Sequence, residues 1–140
     1  LKRHVDLLEV RAVKNPYLNQ VIDSSKVLVY GKGIKIWLSD IKQAILEINQ
    51  FLPTERKFQD FQGDILVRRA VERNIEIIGE AMNRILNHNP DINITNSRKI
   101  VDTRNRISHG YDSVSDDILW AIIIRDLPKL HLEVEALLAD

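Results

Sequence analysis

Apolar residues recur every three or four positions along most of the chain from Ile34 onward, which is the spacing of one face of an α-helix. The first such stretch ends at Pro53. The second runs from Asp64 to Pro90, and Asp64 is a suitable N-cap residue at its start. Gly79 lies inside this second helix, where a glycine costs roughly 1 kcal/mol relative to alanine. We therefore expect another helix to approach closely at this glycine.

Three more helices are predicted downstream. Asn96 or Ser97 is placed to cap a third helix, and Gly110 is placed to end it. Ser115 is a suitable N-cap for a fourth helix, and Pro128 suits the first turn of a last one. Because the connections are short, the pattern predicts an all-α protein built as an antiparallel bundle of four or five helices.

The beginning of the chain follows a different pattern. Residues 4–10 (HVDLLEV) alternate weakly, a helix is predicted to start at Pro16, and residues 26–31 (KVLVYG) form a second β-prone run. Two glycines near the end of that run indicate a boundary between structural elements. We therefore predict two parts, a short β-α-β-like appendage over residues 1–33 and a helical domain over residues 34–140.

Composition and charge narrow the classes of function. The 20 basic residues balance 20 acidic ones, and a formal net charge of zero argues against a dedicated binder of duplex DNA. There is no cysteine, which excludes disulfides and thiolate metal sites. The chain shows no apolar run long enough to span a membrane and no signal-peptide pattern at its start. We expect a cytoplasmic protein that does not contact membranes.

The segment RNRISHGYD, residues 104–112, holds the residues that suggest chemistry. Arg104 falls on the apolar stripe of the third helix, where a guanidinium needs an anion or several acceptors. Asn105 and His109 are four residues apart and share an adjacent face. Arg104 and His109 are about 140° apart around an ideal helix. They meet only if the helix ends early at Gly110, or if a second copy of the chain completes the cluster.

These residue types suit cleavage of a phosphodiester without a metal ion. His109 can move protons, Arg104 offers a planar fork of donors for phosphate oxygens, and Asn105 can orient the histidine or the substrate. In RNA the neighbouring 2′-hydroxyl supplies the nucleophile. From spacing alone, however, a polar helix end whose basic residues complement the helix dipole is the commoner explanation.

The segment RNRISHGY resembles the R-x4-H-x-Y signature of the HEPN superfamily, specifically its HepT-like toxins. Three surrounding segments also resemble this family in the same register, so the resemblance covers residues 34–140. These segments are WLSDIKQAILEI, RAVERNIEIIGEAMNRI and YDSVSDDILWAIIIRDLPKL. It implies a helical HEPN bundle that forms a homodimer with its motifs facing one another. It also implies metal-independent endoribonuclease activity and a nucleotidyltransferase antitoxin as partner. By this resemblance Arg104 and His109 are the catalytic pair, Asn105 supports them, and Tyr111 is the residue that the antitoxin adenylylates.

Residues 1–33 resemble something else, the C-terminal tail of a minimal nucleotidyltransferase antitoxin. Asp6 matches the last metal-binding aspartate of that enzyme, while its Gly-Ser motif and earlier aspartates are absent. One carboxylate cannot hold two magnesium ions for nucleotide transfer. We therefore expect no nucleotidyltransferase activity from this chain.

Other candidate residues have ordinary structural explanations. His131 and Glu135 are four residues apart and are expected to form an exposed ion pair rather than a metal site. Glu76 and Glu80 either contact Arg104 or Arg106 or are simply solvated. Two further residues, Trp37 and Trp120, are expected to anchor the core or an interface rather than stack on bases.

Three functions compete at this stage. The first is a ribonuclease toxin that cleaves RNA, needs no cofactor or metal, and is neutralised by adenylylation. The second is a non-catalytic HEPN dimer that binds a nucleotide or a partner protein at Arg104. The third is a purely structural helical dimer, which predicts that Arg104 and His109 are separated and share no cleft. The intact Arg104 and His109 favour the first.

Overall fold

The computed structural model describes residues 16–109 and 114–140, with side chains from residue 33 onward. All of its described elements are helical, which confirms the all-α prediction. They are α1 (Pro16–Phe51), α2 (Phe58–Gly63), α3 (Ile65–His88), α4 (Ser97–His109), α5 (Asp116–Ala121), a π-helical turn (Ile122–Asp126) and α6 (Leu127–Ala139). The chain divides into two compact units, Leu1–Gly33 and Ile34–Asp140, and the site lies in the second.

The N-terminal prediction is wrong in one respect. Residues 26–31, expected as a strand, lie within α1, although that helix does begin at Pro16 as expected. Valine and tyrosine each lose only a few tenths of a kcal/mol in a helix relative to alanine, and a glycine about 1 kcal/mol. Extending a helix that has already nucleated is easier than starting a new element. The other predicted strand, residues 4–10, falls outside the described residues.

The core of the second unit is built from the apolar stripes that the sequence predicts. α3 and α4 pack extensively against each other. Two residues predicted on the apolar stripe of the second helix, Ile65 and Leu66, are instead exposed at the start of α3. The side chains that are almost fully buried are Leu38, Ile41, Ile45, Ile48, Val71, Ile78, Met82, Ile85, Leu119 and Val134.

Capping residues set the helix starts as expected. An Asp64 carboxylate oxygen accepts a hydrogen bond from the Val67 backbone N–H at 3.1 Å, and Ser115 Oγ accepts one from the Ile118 N–H at 3.4 Å. Asn96 precedes α4 with a φ of 59°, a left-handed conformation that asparagine tolerates better than most residues. The short helix α2 has no counterpart in the predicted elements.

The predicted place of Pro128 in the first turn of the last helix is confirmed. α5, the π-helical turn and α6 follow one another without interruption, with Pro128 in the first turn of α6. Proline has no N–H to donate and its ring crowds the carbonyl one turn earlier. The wider π-helical turn just before it accommodates both effects, so the helix continues. No helix among the described residues is long and apolar enough to cross a membrane.

Candidate active site around Arg104

The site is built where α4 lies against α3 at Gly79. A Cβ atom added to Gly79 would lie 2.1 Å from Arg104 Cβ, 2.8 Å from Arg104 Cγ and 3.3 Å from the Ile100 carbonyl oxygen. No side chain fits at such distances. The close helix approach expected at this glycine is therefore confirmed, and it fixes the stem of Arg104 against the backbone of α3.

The guanidinium of Arg104 is held at two nitrogens. Nη1 donates to Asn105 Oδ1 at 2.7 Å, and Nη2 donates to Glu80 Oε2 in a short, charge-assisted contact. The side chain remains 30% exposed. A guanidinium carries five N–H donors, so these two bonds leave others for an incoming anion. Asn105 supports the arginine rather than the histidine in this arrangement.

Glu80 pairs with two arginines at once. Its Oε1 accepts from Arg84 Nε at 3.3 Å, one helical turn further along α3, while its Oε2 accepts from Arg104. Glu76 pairs instead with Arg73, at 3.2 Å on the same helix. Of the two glutamates that the sequence left open as partners of Arg104, Glu80 contacts it and Glu76 pairs elsewhere.

An open groove of about 420 Å³ runs beside these residues. Three arginines and three acidic residues line it, so its charges balance. Trp37 forms part of the wall and stacks on His88, with ring centroids 5.1 Å apart. The groove is lined by Trp37, Asp40, Arg73, Glu76, Ile77, Glu80, Ala81, Arg84, Arg104 and Ser108.

His109 does not join Arg104 in this groove. It is exposed at the last residue of α4, and the helix stays regular up to that point. Among the described residues, no hydrogen bond connects His109 with Arg104 or Asn105. The helix end predicted at Gly110, and Tyr111 just beyond it, lie outside the described residues.

Comparison with known proteins identifies the family. Residues 41–137 match the family model described as ribonuclease HepT-like.

The chain belongs to the HepT-like ribonuclease family.

Its relatives include "Probable ribonuclease HepT" of Thermococcus cleftensis, 36% identical over 74% of this chain and 94% of the relative. Another is "Putative RNase MJ1380" of Methanocaldococcus jannaschii, 31% identical over 74% of this chain and 95% of the relative. No solved structure matches the chain. The HepT-like resemblance seen in the sequence is thus confirmed, while that of residues 1–33 to a nucleotidyltransferase tail stays a prediction.

Outside the HepT-like motif, the other candidate residues have structural roles. Glu135 accepts from Lys42 at 2.9 Å and lies 3.4 Å from His131, and the hydrogen bond and charge of Lys42 hold the pKa of Glu135 below its usual value. The described residues contain no cluster of three or more potential metal-binding side chains. Trp120 packs against Phe58 and Phe61, as expected of an anchor of the core.

Sequence reasoning missed four polar residues of the groove, which are Asp40, Arg73, Arg84 and Ser108. The spacing of Glu80 and Arg84 by four residues is nevertheless a usual signal of an ion pair on a helix. Nothing in the sequence indicates that this pair also receives an arginine from α4.

Proposed function

We propose that the chain is a metal-independent ribonuclease that cleaves single-stranded RNA. The observation that carries this proposal is the placement of Arg104, held at two nitrogens by Asn105 and Glu80 yet open to the groove. A guanidinium held in this way is suited to phosphate recognition. The names of the relatives, which are called ribonucleases, support RNA as the substrate.

The proposed site takes residues from two chains. Arg104 lines the groove of its own chain and His109 lies exposed outside it, at the end of α4. In a homodimer with the two motifs facing across a two-fold axis, His109 of one chain meets Arg104 of the other. The close contact of Gly79 is with Arg104 of the same chain, so this glycine does not support the dimer.

The proposed reaction uses the substrate's own hydroxyl. His109 removes the proton from a 2′-hydroxyl, the 2′-oxygen bonds to phosphorus, and the bond to the 5′-oxygen breaks. The products are a 2′,3′-cyclic phosphate and a 5′-hydroxyl, whose proton comes from an imidazolium or from water. Arg104 neutralises the charge that builds on the phosphate oxygens in the transition state.

Cleavage of single-stranded RNA in the presence of EDTA tests this proposal. We expect His109→Ala to lower the rate on the order of 10²–10⁴-fold, because a positioned proton-transfer group contributes that much. His131→Ala is the matched control, since that histidine lies on α6 beside Glu135, and it should cleave as the wild type does. Cleavage that requires magnesium, or that survives His109→Ala, contradicts the proposal.

We further propose that the enzyme is the toxin of a toxin–antitoxin pair and is silenced at Tyr111. This tyrosine is two residues beyond His109, the last residue of α4. A nucleoside monophosphate attached there adds negative charge near the motif and competes with RNA phosphate for Arg104. The modifying enzyme is an intact nucleotidyltransferase that acts in trans with ATP and magnesium. The Tyr111 phenol oxygen bonds to the α-phosphorus of ATP, pyrophosphate leaves, and the phenolic proton passes to solvent.

Co-expression with such a nucleotidyltransferase tests the modification. We expect intact-mass spectrometry to show added adenylate on Tyr111 and RNA cleavage to be suppressed. Tyr111→Phe should cleave RNA normally and escape suppression, with Tyr30→Phe as a control for loss of another tyrosine. Adenylate found on another residue, or suppression that persists in Tyr111→Phe, would argue for neutralisation by simple binding of the partner.

A non-catalytic binding module remains the second candidate. It is favoured by the balanced charges of the groove and by the absence of His109 from its walls. This alternative predicts that the protein binds nucleotides or short RNA with no cleavage, and that Arg104→Ala abolishes binding while His109→Ala does not affect it.

A further inference from the structure

Glu80 occupies an unusual position among the acidic residues of the groove. It projects from α3, yet one of its oxygens accepts a hydrogen bond from an arginine of α4. Its other oxygen is taken by Arg84. Arg84, Glu80 and Arg104 together carry a net charge of +1, so the trio remains suited to a phosphate even though Glu80 lies within it.

The geometry leaves Arg104 little freedom. Its Cβ and Cγ atoms lie over the bare backbone of Gly79, which fixes where the side chain starts. Asn105 and Glu80 then fix where its two terminal nitrogens end. Because both ends of the side chain are restrained, the plane of the guanidinium is determined before any ligand arrives.

Another arginine in the same groove gives the contrast. Arg73 is 71% exposed and pairs with Glu76 within α3, three residues away. Such a surface pair holds a side chain only weakly. Among the described groove residues, Arg104 is the arginine held by a glutamate of a different helix, and the proposed function places that arginine at the phosphate.

We propose that Glu80 is a positioning residue that holds the Arg104 guanidinium in the orientation required by the transition state of RNA cleavage. This inference rests on the proposed function. Preorganised donors act on the charge that develops during reaction, and a small misplacement of such a group can cost about 100-fold in rate. A carboxylate beside the arginine also weakens general attraction for RNA, so Glu80 favours turnover over ground-state binding.

A purely electrostatic role for Glu80 predicts the opposite result. If Glu80 only reduces the positive charge of the groove, its removal should strengthen RNA binding and raise kcat/KM. Removal of Glu76 should then do the same, because that glutamate carries the same charge one turn earlier on the same groove wall. The two glutamates therefore form a matched pair for experiment.

The kinetic test compares Glu80→Ala, Glu76→Ala and Glu80→Asp on single-stranded RNA. We expect Glu80→Ala to lower kcat by about 10- to 100-fold with KM unchanged or lower. Glu76→Ala leaves the contact of Glu80 with Arg104 in place, so it should lower kcat much less than Glu80→Ala does. Glu80→Asp keeps the charge but shortens the reach, so it should also lower kcat. Equal behaviour of the two alanine variants, or a wild-type kcat in Glu80→Asp, overturns the inference.

A second measurement tests, without an RNA cleavage assay, whether Glu80 restrains the guanidinium of Arg104. In the NMR spectrum of the arginine side chains, assigned with Arg104→Lys, the Nη protons of Arg104 should show hindered rotation in the wild type. This restraint should be lost in Glu80→Ala and kept in Glu76→Ala. Arg69, which is 71% exposed and pairs with Glu72 on its own helix, supplies the signal of a weakly held surface guanidinium. An Arg104 signal that resembles that of Arg69 in the wild type overturns the inference.

The two measurements separate failure of this inference from failure of the proposed function. A wild-type enzyme that cleaves RNA, with Glu80→Ala as active as Glu76→Ala, removes Glu80 from its role and leaves the ribonuclease intact. A wild-type protein that cleaves nothing overturns the ribonuclease and the positioning role together, while the NMR result then shows only whether Glu80 restrains Arg104.

Discussion

At Gly79 the absence of a side chain decides how close α4 comes to α3. The sequence shows a glycine in a helix interior and therefore a reason to expect a close approach. It does not show which helix comes near, or that the residue placed over the glycine is Arg104. That information comes from the packing of two segments some 25 residues apart in sequence, which no local pattern records.

Gly79→Ala should both destabilise the protein and impair the site. The new Cβ would meet Arg104 Cβ, so the helices must separate, and overpacking of this kind costs about 1–3 kcal/mol. The better helix propensity of alanine offsets up to about 1 kcal/mol of that loss. Chemical denaturation measures the free energy of unfolding, and RNA cleavage should fall more than stability alone explains, because Arg104 moves.

Gly63→Ala is the control for this change. Nothing lies within 4 Å of a Cβ atom added at Gly63, so its effect on stability and cleavage should be small. If Gly79→Ala proves as stable and as active as Gly63→Ala, the close approach does not hold the site together.

At the scale of the helices, local signals predicted where α3 begins, and they predicted that α1 and α3 end just before Pro53 and Pro90. Asp64 and Ser115 cap α3 and α5 as their types and positions indicate, because capping depends on groups within three residues. Pro128 lies in the first turn of α6, as predicted, because its fixed φ suits that position and the N–H that it lacks is not needed there. The prediction of a strand over residues 26–31 is wrong, because propensity is a weak preference that an adjoining helix overrides.

The N-cap of α3 gives a prediction at this scale. Asp64→Ala removes the acceptor of the Val67 N–H and should lower the free energy of unfolding by about 1 kcal/mol. Thermal or chemical denaturation measures the change. Asp91→Ala alters an exposed aspartate in the loop between α3 and α4 and should change stability by less than about 0.5 kcal/mol. Equal effects of the two variants would show that the cap contributes nothing.

For the whole molecule, the sequence predicted the helical class and the HepT-like family, and the structure supplied the arrangement of the motif. The R-x4-H pattern names Arg104 and His109 but leaves their partners open. The structure assigns Glu80 and Asn105 to the arginine and leaves the histidine outside the groove. Five-residue spacing on a regular helix turns the two side chains to different faces, which is why one chain does not bring them together.

The central claim is that Arg104 and His109 act together across a dimer, and mixing two inactive variants tests it directly. Arg104→Ala and His109→Ala should each fail to cleave RNA alone. After subunit exchange, a mixed dimer contains one site with an intact Arg104 from one chain and an intact His109 from the other. The mixture should regain about a quarter of wild-type activity, since half the dimers are mixed and each has one intact site. A mixture that forms mixed dimers and stays inactive, while the wild type cleaves, would contradict the claim.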